Sequence, residues 1–246
     1  MDQQVKEENI QAPIFAISRH RMGSDGQGVT TLVCFNGCPL RCEYCINPEC
    51  WNSISQVITP ERLLDQVKID NLYFSATGGG ITFGGGEPAL RSKFIEAFRQ
   101  IAPAEWRFNI ETSLNVKRYH VERLLPCIDQ YFIDIKDVNP IIYRRYTGRD
   151  NQCVLDNLQW LLSHDGIAER IVVRLPLIKD FNTPDDVRHS REYLVSIGVT
   201  QFDEFEYLRD DRPQMPLMGI PVGPIRTSSG NSLFSQLLHL FKRKNK

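Results

Sequence analysis

Three cysteines in the run Phe35-Asn36-Gly37-Cys38-Pro39-Leu40-Arg41-Cys42-Glu43-Tyr44-Cys45 are separated by three and then two residues, which places them on one tight loop. Thiolates so spaced can hold three corners of a cubane iron-sulfur cluster, which normally takes four protein ligands, so one iron is left open. An open iron points to chemistry rather than to storage of electrons. Zinc competes for the same residues: Cys50 lies five residues beyond Cys45, but no paired second knuckle follows it. A disulfide reading needs an oxidising compartment. The start Met1-Asp2-Gln3-Gln4-Val5-Lys6-Glu7-Glu8 lacks the basic start and apolar core of an export signal, and seven cysteines is an odd count. Cys34, Cys50, Cys127 and Cys153 are scattered and read as structural thiols.

A second run, Ile81-Thr82-Phe83-Gly84-Gly85-Gly86-Glu87-Pro88, takes a strand into three glycines, an acid and a proline before a helix. Consecutive glycines let a backbone approach a ligand without side-chain interference, although a tight strand-to-helix turn uses the same residues. Glu111-Thr112-Ser113 ends the next apolar run and Asp134-Ile135-Lys136-Asp137 the one after it. Either segment alone is an ordinary solvated boundary; their recurrence on successive strands is not. Arg174, inside Ile171-Val172-Val173-Arg174-Leu175-Pro176-Leu177, is a cation in a buried-strand pattern and needs an anionic partner.

The elements that must position these residues alternate. Short runs rich in Val, Ile, Phe or Leu predict strands near Val29–Phe35, Gly80–Gly84, Arg107–Thr112, Gln130–Ile135, Arg170–Leu177 and Gln201–Leu208. Amphipathic patterns between them predict helices over Pro60–Asn71, Ala89–Ile101, Val116–Ile128, Val154–His164 and Pro184–Ile197, the first opened by Thr59 as N-cap with Pro60 behind it. Alternation of this kind builds βαβ units on a parallel sheet, and every residue singled out above then falls at a C-terminal strand end, the face where such folds carry their sites. The segment Pro213–Gly230 reads as a loop over one face, and Leu233–Phe241 as a last helix with Leu233, Leu237, Leu238 and Phe241 on one side.

At 246 residues with 41% hydrophobic and 24% charged side chains, one soluble domain spanning 1–246 is the economical expectation. With 29 basic against 30 acidic side chains, the charge balance points to neither nucleic acid nor a membrane surface. The chain holds no apolar stretch of spanning length, so a cytosolic protein is expected, where reduced thiols favour cluster assembly.

Cys38-x3-Cys42-x2-Cys45 with an aromatic at Tyr44, followed by Gly85-Gly86-Glu87-Pro88, resembles the radical S-adenosylmethionine (SAM) superfamily. Within it the chain is similar to the small activating enzymes of glycyl radical enzymes. The similarity runs from Asp25-Gly26-Gln27-Gly28 through Phe181-Asn182 and takes in Tyr146-Thr147-Gly148 and Arg174-Leu175-Pro176-Leu177-Ile178. The resemblance implies an α/β fold, a partial (β/α)6 barrel with core about 28–208. It implies a [4Fe-4S] cluster on Cys38, Cys42 and Cys45 whose fourth iron chelates SAM, and cleavage of SAM to a 5′-deoxyadenosyl radical that takes hydrogen from a protein or peptide. Gly84, Gly85, Gly86 and Glu87 would then run along the methionine moiety, Lys136 would meet its carboxylate, Tyr44 would lie beside the adenine, and Arg174 would join the pocket. A monovalent cation at Glu111, Thr112, Asp134 and the Phe132 backbone, and a flavodoxin- or ferredoxin-type reductant, are implied in the same way.

The chain departs from that pattern at Thr30, where relatives often carry Arg, at Ile46 in place of His, and at Glu204-Phe205-Glu206-Tyr207-Leu208-Arg209. Too few cysteines remain for a ferredoxin-like insertion. Two other functions stay open from the residues: radical modification of a ribosomal peptide precursor or small metabolite, and a noncatalytic iron-sulfur or zinc module.

Overall fold

A computed structural model describes residues 10–207 of the chain. The expected loop Pro213–Gly230 and helix Leu233–Phe241 lie outside the described residues, as does Leu208. The order is β1 (Ala12–Met22), β2 (Val29–Phe35), a one-turn helix α1 (Glu49–Asn52), β3 (Gln56–Ile58), α2 (Pro60–Val67), α3 (Asn71–Thr77) and β4 (Gly80–Gly85). It continues with α4 (Ser92–Ile101), β5 (Arg107–Thr112), α5 (Arg118–Leu124), β6 (Gln130–Asp134), α6 (Pro140–Thr147), α7 (Gln152–Leu162), β7 (Ile171–Ile178), α8 (Pro184–Ser196) and β8 (Phe202–Tyr207). The strands form one sheet in the order β3-β1-β2-β4-β5-β6-β7-β8, in which the neighbours from β2 to β8 are parallel and β1 and β3 extend one edge antiparallel.

All six expected parallel strands form, displaced by one residue at most over the described range. The period of two does the sorting. Val33, Phe35, Ile81, Phe83, Phe108, Ile110, Ile133 and Val173 are buried in the main core under the helices. Phe83 meets Phe35, Phe98 and Phe108 at ring-centroid separations of 5.9, 6.1 and 5.4 Å, and each such buried ring contributes roughly 2 kcal/mol by area alone. The intervening positions, Leu32, Cys34, Thr82, Asn109, Glu111, Asp134 and Arg174, belong to the opposite face, so the concave side of the sheet is polar.

The helix expected over Val116–Ile128 forms only as α5, and that over Ala89–Ile101 opens as a 3-10 turn. β3 and α1 were not anticipated, and three further departures bear on the frame of the site. The helix expected over Pro60–Asn71 is broken by a 3-10 turn at Lys68–Asp70 and resumes as α3, although Thr59 caps it as anticipated, its hydroxyl accepting from Arg62 N at 3.3 Å. The first strand was not anticipated: its register shifts between Ile14 and Ala16 and again between Ser18 and Arg21, which destroys the alternation that marks a half-buried strand. The third addition is α6, capped at both ends by Asn139 and Gly148 but burying Tyr143, Tyr146 and Thr147 rather than aliphatic residues.

Asp70 is the lock between the helical layer and the sheet edge. Its fully buried carboxylate accepts from Arg19 Nε at 2.8 Å, from Thr31 Oγ1 at 2.8 Å and lies 3.1 Å from His20 Nε2. Burial pushes its pKa up, but hydrogen bonds from Arg19 and Thr31 and the Arg19 charge outweigh it, so the carboxyl rests below its ordinary value. A depressed pKa contributes stability above the unfolded-state value that is lost as pH falls through the folded value. Asp70→Asn is therefore expected to cost about 3 kcal/mol at pH 7, with the deficit shrinking below about pH 4. Urea titrations of both proteins at pH 7 and pH 3 check it; an equal deficit at both refutes the charge argument.

Candidate active site

The cysteine loop leaves the end of β2, and other strand ends stitch it in place. Gly37 N donates to Cys50 O at 2.8 Å, Glu87 N to Gly37 O at 2.8 Å and Gly86 N to Phe35 O at 2.9 Å. On the other side the last carbonyls of α6 are used: Arg41 N donates to Thr147 O at 2.9 Å and Glu43 N to Tyr146 O at 3.1 Å. Two of the three glycines are required by that stitching. Gly85 has φ +89°, and a Cβ there would stand 2.8 Å from Cys34 Cα; at Gly86 it would stand 2.4 Å from Gly37 O.

A cavity of about 370 Å³ opens beneath the loop, within the range of small-molecule sites. Cys38, Cys42 and Cys45 line one end, and Tyr44, Gly85, Gly86, Glu87, Glu111, Thr112, Asp134, Lys136 and Arg174 line the rest. Twelve of the thirteen residues singled out from the sequence thus meet in one space. Gly84 does not line it: a Cβ there would press at 3.0 Å on both Glu111 Oε2 and Leu32 Cδ1, so its lack of a side chain makes room for Glu111.

Charges along the cavity wall form one network. Arg174 Nε donates to Asp134 Oδ1 at 2.6 Å and its Nη1 to Glu111 Oε1 at 3.0 Å, while Lys136 Nζ stands 3.2 Å from Asp134 Oδ2. This answers the partner that the buried-strand cation required. Burial raises the Asp134 pKa, but Lys136 and Arg174 outweigh it and hold the carboxyl low. Glu111 goes the other way, pushed up by burial against the pull of Arg174. Glu87 is fully buried and its acceptor sites are filled, by Thr112 Oγ1 at 2.5 Å, Ala89 N at 3.1 Å, Ser113 N at 2.9 Å and Ser113 Oγ at 2.6 Å. Its side chain ties the β4 end to the β5 end. Asp137 turns away to Asn139 N at 2.8 Å.

As free thiols Cys38 and Cys42 are pushed up to about 12 and about 11, first by burial, whereas Cys45 is lowered to about 7, first by a hydrogen bond from Cys50. Neutral thiols in a half-buried loop become thiolates when a cationic centre sits among them. Three soft donors, a cation and glycine backbone lining the same cavity are a donor set whose chemistry suits a cubane cluster carrying a chelating amino-acid ligand.

Several lining residues were not singled out. Tyr44 packs edge-on to Tyr146 and Phe181 at 6.2 and 5.6 Å and stacks on Tyr207 at 6.4 Å, and the Tyr207 hydroxyl donates to Tyr44 O. At the other end Arg21 is paired with the buried Asp25, whose carbonyl accepts from Thr82 Oγ1 at 2.7 Å and Asn109 Nδ2 at 3.0 Å. The segment Asp25-Gly26-Gln27-Gly28 was the signal that marks this floor. Cys50 also lines the cavity. All seven cysteines are free, and Cys153 is exposed rather than buried as expected of a structural thiol, while Cys34 and Cys127 are buried. Among the described residues no helix is long and apolar enough to cross a membrane.

Comparison with known proteins agrees with this geometry. Residues 32–194 match the family model described as the radical SAM superfamily. The (2S)-3-sulfopropanediol dehydratase activating enzyme of Klebsiella oxytoca is 27% identical over 232 residues, covering 69% of this chain and 72% of its own. The pyruvate formate-lyase-activating enzyme of Clostridium pasteurianum is 36% identical over 129 residues, 51% of this chain and 53% of its own. Pyruvate formate-lyase 1-activating enzyme of Escherichia coli K12 is 28% identical, covering 67% and 68%. Among solved structures, Streptococcus suis SuiB superposes with TM-score 0.52 at 13% identity over 84% of this chain and 43% of its own, and TYW1 with 0.51 at 16% over 75% and 67%. These shared folds are partial barrels, and the chain spans under half of SuiB. With the cysteine loop, the strand-end network and a family match over most of its length, this chain belongs to the radical SAM superfamily.

Proposed function

We propose that the chain is a glycyl-radical-enzyme activating enzyme, which takes a hydrogen atom from a backbone glycine of a partner protein. The observation that carries the reading is the single cavity that joins three thiols to the Asp134–Arg174–Glu111–Lys136 network, in a chain whose curated relatives are activating enzymes.

Cys38, Cys42 and Cys45 would hold the [4Fe-4S] cluster. When bound, cluster and SAM supply one-electron cleavage of the sulfonium bond, giving a carbon radical able to abstract hydrogen. The chain's own groups bind and orient. Lys136, which shares the Asp134 carboxylate with Arg174, would meet the SAM carboxylate. The backbone at Gly85 and Gly86 would meet its amino group, while Glu87 acts by holding the β4 and β5 ends together. Tyr44, with Tyr146, Phe181 and Tyr207 around it, offers an aromatic wall for the adenine and keeps water from that end. Arg174 already neutralises Glu111 and Asp134, so a monovalent cation at Glu111, Thr112, Asp134 and the Phe132 carbonyl would share those carboxylates with it.

Anaerobic incubation of reconstituted protein with SAM, a reductant and a glycyl radical enzyme encoded beside it tests the reading. The expected result is a doublet electron paramagnetic resonance signal on the partner together with 5′-deoxyadenosine. Formation of 5′-deoxyadenosine with a short precursor peptide, and no signal on any neighbouring enzyme, overturns it in favour of peptide modification.

A further inference from the structure

Cys50 is a fourth thiol at the cysteine end of the cavity, a placement that a filler of the core does not need. It is 2% exposed, yet it lines the cavity together with Cys38, Cys42 and Cys45. The one-turn helix α1 carries it, and a chain of hydrogen bonds ties that turn to both sides of the site. Cys50 N donates to Asn47 O at 3.0 Å, Gly37 N to Cys50 O at 2.8 Å and Glu87 N to Gly37 O at 2.8 Å, while Asn47 Nδ2 donates to Gly85 O at 3.2 Å. The Cys50 backbone is thereby held in register with the cysteine loop and with the glycine strand end, which leaves its side chain the χ1 rotation alone.

What that side chain meets is Cys45. The Leu40 amide donates to the Cys38 sulfur and the Cys42 amide to its own, a pattern of backbone donors that the Asn47 amide continues at Cys45. At Cys45 a side chain joins them, because the Cys50 thiol is hydrogen-bonded to the same sulfur. A sulfur that binds iron has given up its proton, so the hydrogen in this contact must then come from Cys50.

We propose that Cys50 acts on the cluster through Cys45, its S–H donating to the ligating sulfur and raising the reduction potential. The inference rests on the reading that Cys38, Cys42 and Cys45 hold a cubane. A hydrogen bond to a ligating sulfur draws off part of its negative charge, so the added electron of the reduced state is better tolerated. For one bond of ordinary net strength, the ratio of reduced to oxidised cluster at a fixed potential rises about fivefold, equivalent to about 40 mV for a one-electron couple.

The test compares the wild type with Cys50→Ala and Cys50→Ser, reconstituted anaerobically and kept free of SAM. All three are expected to bind about four irons per chain, since Cys50 is not a ligand. In a potentiometric titration followed by electron paramagnetic resonance, Cys50→Ala is expected to lose the fivefold preference and shift to a more negative midpoint. Cys50→Ser, whose hydroxyl still donates, is expected to recover most of it. Electron-nuclear double resonance of the reduced cluster, in ordinary against deuterated water, is expected to show an exchangeable proton that Cys50→Ala lacks. Equal midpoints in the wild type and Cys50→Ala, or an unchanged set of exchangeable protons, overturn the proposal. A fall to about three irons per chain in both variants, with the signal of a three-iron cluster, overturns it by making Cys50 a fourth ligand. Should Cys50→Ala lose the cluster altogether, Cys50→Ser decides: its O–H coupling must differ from the S–H coupling of the wild type, and identical spectra overturn the proposal. A wild-type protein that takes up no cluster overturns the parent reading, and this one with it.

Discussion

Cys42→Ala is expected to remove the brown absorbance near about 400 nm, to cut bound iron after anaerobic reconstitution from about four atoms per chain to less than one, and to take 5′-deoxyadenosine formation below detection. Cys42 is the middle of the three proposed ligands in the sequence and lines the cavity with Cys38 and Cys45. As a free thiol it is pushed up to about 11, by burial first, with Lys136 pulling the other way, so it carries charge only when iron compensates it. Its removal leaves two of the three proposed ligands, too few to keep a cubane from dissociating unless Cys50, which also lines the cavity, takes the vacant place. The loop itself should survive, because its flanks are held by Arg41 N on Thr147 O and Glu43 N on Tyr146 O, neither of which involves the sulfur. The apo variant should therefore melt within a degree or two of the apo wild type, a mutation of this kind costing under about 0.5 kcal/mol. Cys153→Ser is the matched control: its exposed thiol donates to Val116 O at 3.0 Å, remote from the cavity, and cluster content should not change. Retained iron in Cys42→Ala refutes the ligand assignment.

The sequence made the site more legible than the frame around it, and the reason is physical. Parallel strands buried on one face and lining a polar cavity on the other carry two signals at once, an apolar run and an interrupting charge. Glu111, Asp134 and Arg174 are those interruptions, and each directly follows a buried Ile or Val in its strand. What escaped notice were elements with no such pattern. β1 has two register shifts, and α6 buries tyrosines in place of leucines, though Asn139-Pro140 and Gly148 marked both of its ends. Glu87, which the resemblance sets along the methionine moiety, also braces the β4 and β5 ends through its filled acceptor sites, a role that no spacing rule reveals. The aromatic wall of Tyr146, Phe181 and Tyr207 is assembled from three distant segments around Tyr44, so only the fold brings it together.

Arg174→Met should produce the second large effect, in stability and in SAM cleavage together. Arg174 satisfies two carboxylates at once, and the four side chains of the network are between 14% and 26% exposed. Removing the guanidinium leaves Glu111 and Asp134 facing each other with one lysine between the pair, at an expected cost of about 3 kcal/mol at pH 7, the low end for a broken buried pair because some water reaches it. Glu111, already pushed up by burial, should rise further in the variant. A carboxyl raised above its unfolded value contributes stability that is full below the unfolded value and is lost as pH rises through the folded one, so the deficit should grow as pH rises above about 5. Lys136 would at the same time be drawn fully onto Asp134, leaving the cavity net negative where a ligand carboxylate must bind. SAM cleavage with excess reductant should fall about 100-fold, equivalent to about 2.7 kcal/mol. The double variant Arg174→Met/Glu111→Gln separates the two roles, since removing one carboxylate relieves the repulsion without restoring the lost cation. It should regain most of the stability and flatten the pH dependence, yet stay impaired in SAM cleavage. If turnover returns along with stability, Arg174 acts only as a strut and Lys136 alone suffices for the ligand.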